Sequence, residues 1–152
     1  MTIVAAVMSA LHLLALAIGL PAIVMRARAL QGPLDAAGIK RVLTADSLWG
    51  LAALLWILTG PARAFGPFEK GTAFYLGSPL FFVKLGLFLL ILALEIRPMV
   101  AFIRWRITLS AGGTPDRSHA PLYATLSWIE GGLVVTMVFA ASLMARAVAW
   151  RG

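Results

Sequence analysis

The chain of 152 residues contains no cysteine. Disulfide bonds, thiolate-bound metals and iron–sulfur clusters are therefore excluded, because each of them needs cysteine sulfur. Charged residues are also scarce, at 12% of the chain, against about 25% in an ordinary globular domain. Hydrophobic residues make up 61% instead, and the mean hydropathy is +0.93. This composition indicates an integral membrane protein.

The sequence also lacks a glycine-rich phosphate-binding loop, the spacing of a catalytic triad and the His-Glu motif of metalloproteases. ATP-driven chemistry is therefore not expected. The net charge of +7 would suggest nucleic acid as the partner of a soluble protein. Here the basic residues follow the ends of apolar runs, where anionic lipid headgroups are the expected counter-ions. The lipid bilayer is an expected partner and nucleic acid is not.

Four apolar stretches reach the roughly 20 residues that a helix needs to cross a hydrocarbon core. The connections between them contain the helix breakers of "QGPLDAAG", "GPARAFGPFEKG" and "SAGGTPDRSHAP". The first stretch has no basic segment before it, so it is interpreted as a span rather than a signal peptide. The sequence predicts an all-α fold, a single-domain integral membrane four-helix bundle over residues 1–152. The predicted spans are residues 2–25, 42–60, 78–103 and 121–149.

The basic residues near the ends of the spans predict an orientation in the membrane. More of them flank the first and third connections than flank the second connection and the C-terminus. Both termini are therefore expected outside the cytoplasm, with Trp105 in the aromatic belt on the cytoplasmic side of the membrane. The first group is Arg26, Arg28, Lys40, Arg41, Arg97, Arg104, Arg106 and Arg117, and the second is Arg63, Lys70, Arg146 and Arg151.

Apart from Arg97 and Arg146 near the span ends, five acidic or basic side chains fall inside the predicted spans. Each costs on the order of 2–3 kcal/mol at a helix centre, so such residues usually face the bundle interior and pair. Eleven residues separate the third span's lysine from its glutamate, which places both on one helix face about 16 Å apart, too far to pair directly. The predicted orientation places the lysine in the outer half, the histidine near the middle and the carboxylates in the inner half. The five are His12, Asp46, Lys84, Glu95 and Glu130.

The three carboxylates have two interpretations. Together Asp46, Glu95 and Glu130 are typical of a proton relay, because intramembrane carboxylates often mark proton paths. Asp46 and Glu95 also lie within a few turns of the basic span ends. At this depth each of the two carboxylates is expected to form a simple ion pair at the membrane interface with Arg41, Arg97 or Arg104 if it is not part of a relay.

His12 and Lys84 also have two interpretations each. Lys84 is compatible with snorkelling toward lipid headgroups or with binding a buried anion. His12 is too deep and too short to snorkel, so it either donates a hydrogen bond to a neighbouring helix or acts as a ligand or proton carrier. Its helix face also carries Ala15 and Gly19, and such small residues allow either close helix approach or space for a bulky guest.

Three segments resemble a family of small bacterial four-span membrane proteins, and the resemblance covers nearly the whole chain. They are "LTADSLWGLAALLWILTGPAR", "KGTAFYLGSPLFFVKLGLF" and "IRPMVAFIRWR". This resemblance implies the fold. More distantly, "HLLALAIGLPAIVMR" and "FFVKLGL" are similar to segments of HemJ-type protoporphyrinogen oxidases. That similarity implies haem binding, with His12 and Lys84 as the functional polar residues.

Three functions are compatible with these residues. The first is a haem-binding membrane redox protein, an oxidoreductase, in which His12 binds the iron while Lys84 and Arg63 pair with the propionates. Another anionic tetrapyrrole or small molecule is the alternative ligand of this site. The second is a proton- or ion-coupled transporter that uses the three carboxylates and forms a homo-oligomer. The third is a non-catalytic membrane assembly factor whose buried polar groups fix the register of the helices.

The predicted orientation is tested with reporter fusions. A periplasm-dependent reporter such as alkaline phosphatase is expected to be active when fused to the C-terminus, because the basic connections are retained in the cytoplasm. The same reporter in the third connection, after residue 113, serves as the control and is expected to be inactive. A C-terminal reporter that works only in the cytoplasm would contradict the orientation.

Overall fold

The computed structural model describes residues 3–66 and 72–147. Its elements are α1 (Ile3–Gln31), α2 (Ala36–Phe65), the short α3 (Thr72–Leu76), α4 (Pro79–Ser110) and α5 (Ala120–Ala147). The four long helices are each long and apolar enough to cross a membrane. Within the described ranges all regular structure is helical, which confirms the predicted all-α fold.

α1, α2 and α4 are longer than the predicted spans, and the connections at one end of the bundle are compact. α1 continues past residue 25 to Gln31, and α2 already begins at Ala36. The Asp35 carboxylate caps α2 by accepting a hydrogen bond of 2.7 Å from the Gly38 N–H. A Cβ atom on Gly38 would overlap the carbonyl oxygen of Pro33, so this tight turn requires glycine there.

The second predicted span ends at residue 60, whereas the helix that contains it, α2, runs through Pro61 to Phe65. A proline removes only one backbone N–H, and in apolar surroundings a helix is still the best way to pair the remaining groups. The end of the fourth span was predicted at residue 149, which lies outside the described residues.

The bundle is closed on three sides and splayed on the fourth. α1 packs along α2 and α5, and α5 packs against α4, whereas α2 and α4 approach each other over only a short stretch. α1 and α4 therefore lie diagonally across the bundle. We call the loose contact between α2 and α4 the α2–α4 seam, and the end that carries residues 32–35 and 111–119 the basic end.

The α1–α2 contact is close because the facing residues are small. A Cβ atom on Gly19 would lie 3.0 Å from both the Ala52 Cβ and the Trp56 ring. Ala15 is fully buried beside it, and Trp56 packs edge to face on Trp49 with ring centroids 6.0 Å apart. Of the two interpretations of the small-residue face, close helix approach is the one found at Gly19.

Aromatic side chains close the core at the basic end. Phe102 lies between Trp105 and Tyr123, with centroid distances of 5.3 Å and 5.6 Å. The Trp105 indole N–H donates a 2.8 Å hydrogen bond to the Asp116 carbonyl and ties the last connection to the core. Trp105 is only 3% exposed, so its predicted place in an interfacial belt was wrong. The large exposed side chains outside the core are apolar along the helices, for example Leu13 and Phe139, which suits contact with lipid.

Candidate functional site

The centre of the bundle near the basic end is the guanidinium group of Arg26 on α1, which is fully buried. An arginine carries five N–H donors, and the Arg26 side chain makes five hydrogen bonds. Nε donates to Ser127 Oγ at 3.0 Å, and Nη1 donates to Asp46 Oδ1 at 3.1 Å. Nη1 and Nη2 each donate to one oxygen of Glu95 at 2.7 Å, and Nη2 also donates to Glu130 Oε2 at 2.7 Å. Every donor of this cation is therefore satisfied by protein.

The acceptors come from every other long helix. Asp46 lies on α2, Glu95 on α4, and Ser127 with Glu130 on α5. Glu95 binds the guanidinium with both oxygens, which is the strongest and most directional geometry for this pair. Since α1 and α4 are diagonal to each other, Arg26 and Glu95 join them across the middle of the bundle.

A second arginine extends the network toward the α2–α4 seam. Arg106 on α4 donates from Nη1 to Asp46 Oδ2 at 2.8 Å, so Asp46 bridges two guanidinium groups. Arg106 Nη2 donates to the Leu43 carbonyl at 2.9 Å and to Ser47 Oγ at 3.1 Å. We call Arg26, Arg106, Asp46, Glu95 and Glu130 the arginine cluster.

The arginine cluster is enclosed by aromatic rings and contains one oxygen that lacks a partner. The Arg26 Cζ atom lies 5.9 Å from the Trp49 ring centroid and 5.6 Å from that of Phe102, within range of a cation–π contact. Among the described residues, Glu130 Oε1 and Trp49 Nε1 are buried without a hydrogen-bond partner. A buried carboxylate oxygen without a donor is costly when the group is ionised.

The charges of the arginine cluster do not balance. Two guanidinium groups face three carboxylates, so the fully ionised cluster carries one net negative charge. The side chains of Asp46 and Glu95 are 13% and 15% exposed, whereas the side chain of Glu130 is fully buried. The excess charge therefore lies deepest at Glu130, where solvent cannot stabilise it.

The structure brings together the three carboxylates of the predicted relay but not the arginines that were expected to pair with them. Arg41, Arg97 and Arg104 lie at exposed positions, and the ion pairs of Asp46 and Glu95 are made with Arg26 and Arg106 instead. The predicted interfacial pairs were therefore wrong. Arg26 takes their place because α1 extends beyond residue 25. Its sequence signal is the helical face that runs from Ala15 and Gly19 through Ala22 to Arg26, at spacings of three and four residues.

The predicted haem residues lie away from the arginine cluster. His12 Nδ1 is 2.8 Å from Thr59 Oγ1 on α2, and the Thr59 hydroxyl itself donates to the Leu55 carbonyl at 2.6 Å. The predicted hydrogen bond from His12 to a neighbouring helix is thereby confirmed. Lys84 and Arg63 are half-buried and have interactions of their own. Fourteen residues of α1 separate His12 from Arg26, a rise of about 21 Å.

Two cavities lie along the α2–α4 seam. The larger, of about 360 Å³, is at the basic end and includes Arg106 and Ser47 in its wall. The smaller, of about 20 Å³, lies deeper and is lined by Trp49, Trp56 and Glu95 among others. Neither cavity is lined by His12, Lys84 or Arg63. Over residues 3–66 and 72–147, no three histidine or acidic side chains are grouped as a metal site would need.

Replacing Arg26 with Met removes the one cation that contacts Glu130 among residues 3–66 and 72–147, so the three carboxylates of the cluster are left with Arg106. We expect the free energy of unfolding to fall by about 3–5 kcal/mol, the usual cost of leaving buried charge uncompensated. Arg28→Met is the matched control, because it removes the same charge from an exposed position two residues along α1. Thermal unfolding in detergent, followed by tryptophan fluorescence, measures both variants. Equal stabilities would contradict a structural role for Arg26.

Comparisons with known proteins give one family. Neither the curated proteins nor the solved structures contain a match to this chain. The model of the family described as "Predicted membrane protein (DUF2214)" matches residues 4–149. That match agrees with the four apolar helices and with the resemblance to a four-span family noted in the sequence, whereas the similarity to HemJ-type enzymes receives no support from it. Because the match covers nearly the whole chain, the protein belongs to the DUF2214 family of predicted membrane proteins.

Proposed function

We propose that the protein is a small proton-coupled membrane transporter that binds and releases its proton at the arginine cluster. One observation carries the proposal: three carboxylates share two guanidinium groups, and the oxygen Glu130 Oε1 is buried without a partner in the described structure. A cluster with an excess of buried negative charge is stabilised by binding one proton.

Glu130 is the proposed proton carrier of the cluster. Its Oε2 already accepts from Arg26, so a proton on Oε1 neutralises the group without breaking that hydrogen bond. Asp46 and Glu95 each accept hydrogen bonds from two arginine N–H groups and are the proposed counter-charges of Arg26 and Arg106. The three acids thus have different tasks although they share one cation.

The α2–α4 seam is the proposed route to the cluster. Asp46 and Glu95 keep residual exposure, Arg106 lines the larger cavity and Glu95 lines the smaller one. A proton that enters along the seam passes these groups before it reaches Glu130. The seam is also where the bundle is least tightly packed. We therefore propose that a change of charge in the cluster moves α4 relative to α2.

The proposal places the protein in a bacterial inner membrane with the basic end toward the cytoplasm. The distribution of lysine and arginine supports this orientation. Four helices enclose little space, and their middle is filled by the arginine cluster and by tryptophan rings. The transported solute is therefore proposed to pass between copies of the chain in a homo-oligomer.

Glu130→Gln tests the proton carrier, because glutamine imitates the protonated acid and cannot release a proton. Infrared spectroscopy over the neutral pH range is expected to show a protonated carboxyl band in the natural protein and no such band in Glu130→Gln. Asp116→Asn is the control: the Ser118 N–H donates to Asp116, which lowers the pKa of that exposed carboxyl, so it stays ionised and its loss leaves the band unchanged. In vesicles with an imposed pH gradient, proton flux is expected to fall at least about tenfold in Glu130→Gln.

The two measurements separate the parts of the proposal. A band that persists in Glu130→Gln would rule out Glu130 as the carrier. A band without any proton flux in the natural protein would mean that the proton is permanently bound. The cluster would then serve to fix the helices, as in a non-catalytic assembly factor.

Haem binding is a second proposal, and one observation favours it. The hydrogen bond between His12 Nδ1 and Thr59 Oγ1 fixes the orientation of the imidazole ring, as a ligand histidine requires, and Lys84 and Arg63 are the proposed partners of the propionates. The packing around Gly19 opposes it, because Ala52 and Trp56 fill the α1–α2 contact and a tetrapyrrole does not fit there. Bound haem would supply redox chemistry and make the protein a candidate oxidoreductase.

His12→Ala tests the haem proposal. Protein purified in mild detergent after haem supplementation is expected to show a Soret band that His12→Ala removes. His119→Ala is the control, because it changes an exposed histidine of the last connection and leaves the band intact. The absence of a Soret band from the natural protein would overturn this proposal.

A further inference from the structure

The larger cavity on the α2–α4 seam opens sideways from the bundle at the basic end. Its volume is about 360 Å³, and its walls come only from α2 and α4. Lys40 lies four residues after the start of α2, and Arg106 lies four residues before the end of α4. Both cations are therefore at the same level, about 6 Å inside the helix ends.

The polar groups of this cavity suit an anion. The described structure gives Lys40, which is exposed, no hydrogen bond and no ion pair. Of its five N–H donors, Arg106 uses three, for Asp46, Leu43 and Ser47. The remaining two are free for a ligand, and the Arg106 side chain is 37% exposed. The Thr44 hydroxyl adds a further donor, and no acidic residue lines the cavity.

The rest of the cavity wall is apolar. Ile39, Leu43 and Leu109 surround the polar groups, and the helical seam continues toward Phe88 and Leu92 at the smaller cavity. A ligand that fills this space must therefore combine an anionic group at the level of Lys40 with an apolar part that runs along the bundle.

We propose that the cavity binds an anionic phospholipid. Its phosphate lies between Lys40 and Arg106 with the Thr44 hydroxyl as a third donor, and one acyl chain lies along the α2–α4 seam. The depth supports this ligand, because residues one turn inside the end of a membrane-spanning helix lie at the level of lipid phosphates. The apolar walls favour lipid over inorganic phosphate, which would leave them in contact with water.

The lipid site does not depend on the proposed proton transport, although the two share a residue. Arg106 would bind the phosphate with its free donors while it still donates to Asp46 Oδ2. A bound lipid would thus contact the arginine cluster through Arg106. It would also fill the side on which the long helices have the least contact with each other.

The test compares two substitutions at neighbouring positions of α2, one of a lysine and one of an arginine. Lys40→Gln removes the proposed phosphate contact, whereas Arg41→Gln removes the same charge from an exposed position that does not line the cavity. Delipidated protein in neutral detergent is titrated with phosphatidylglycerol or with phosphatidylcholine of the same chains, and native mass spectrometry counts the bound lipid. We expect preferential binding of phosphatidylglycerol, weakened about tenfold by Lys40→Gln, as for the loss of one charge-assisted bond, and unchanged by Arg41→Gln.

Three results would overturn the proposal. Equal binding of the two lipids would mean that the phosphate charge is not recognised, since the phosphate of phosphatidylcholine is neutralised by its own headgroup. Equal losses in Lys40→Gln and Arg41→Gln would indicate general surface attraction. Displacement of phosphatidylglycerol by excess inorganic phosphate would show an anion site without a lipid component. Lys40 is exposed and has no hydrogen bond or ion pair within the described residues, so its replacement tests binding with little effect on the fold.

Discussion

The Arg26 guanidinium is the group on which the arrangement of the four long helices depends. A cation buried this deeply is tolerated only when its donors are fully used and its charge is compensated. Asp46, Glu95 and Glu130 provide this compensation from three different helices. Because five directional hydrogen bonds must form at once, the rotation and depth of each helix are fixed relative to α1.

This constraint explains how a bundle can be specific although one of its sides is loosely packed. α2 and α4 touch over a short stretch only, yet Asp46 and Glu95 attach both of them to Arg26, and Arg106 joins them directly. Ion pairs and hydrogen bonds therefore hold α2 and α4 in place on this side, whereas close packing of small residues such as Gly19 holds α1 against α2. Polar contacts of this kind also leave space beside them, and the two cavities lie in that space.

The sequence predicts the parts of this structure that depend on local composition. Length and hydropathy suffice for the four helices, and depth suffices to group the three carboxylates. Arg26 was missed because the apolar run was ended at Met25, although Ala15, Gly19 and Ala22 mark a buried face that leads to it. The partners Arg41, Arg97 and Arg104 were wrong because depth does not say which way a helix is turned. Trp105 was placed at the surface because its partner, the Asp116 carbonyl, belongs to a connection whose path only the tertiary structure defines.

The order of the residues along the chain has a consequence for biosynthesis. Arg26 belongs to α1, which leaves the ribosome before the other three long helices of the bundle, whereas its partner Glu130 follows 104 residues later in α5. During synthesis α1 must therefore enter the membrane with an arginine whose complete set of acceptors does not yet exist. Asp46 is the first acceptor to arrive, and the adjacent packing of α1 and α2 allows a helical hairpin to carry this pair. The bundle can close only when α5 delivers the last carboxylate, so a chain that stops before α5 retains an incompletely paired arginine in its first span.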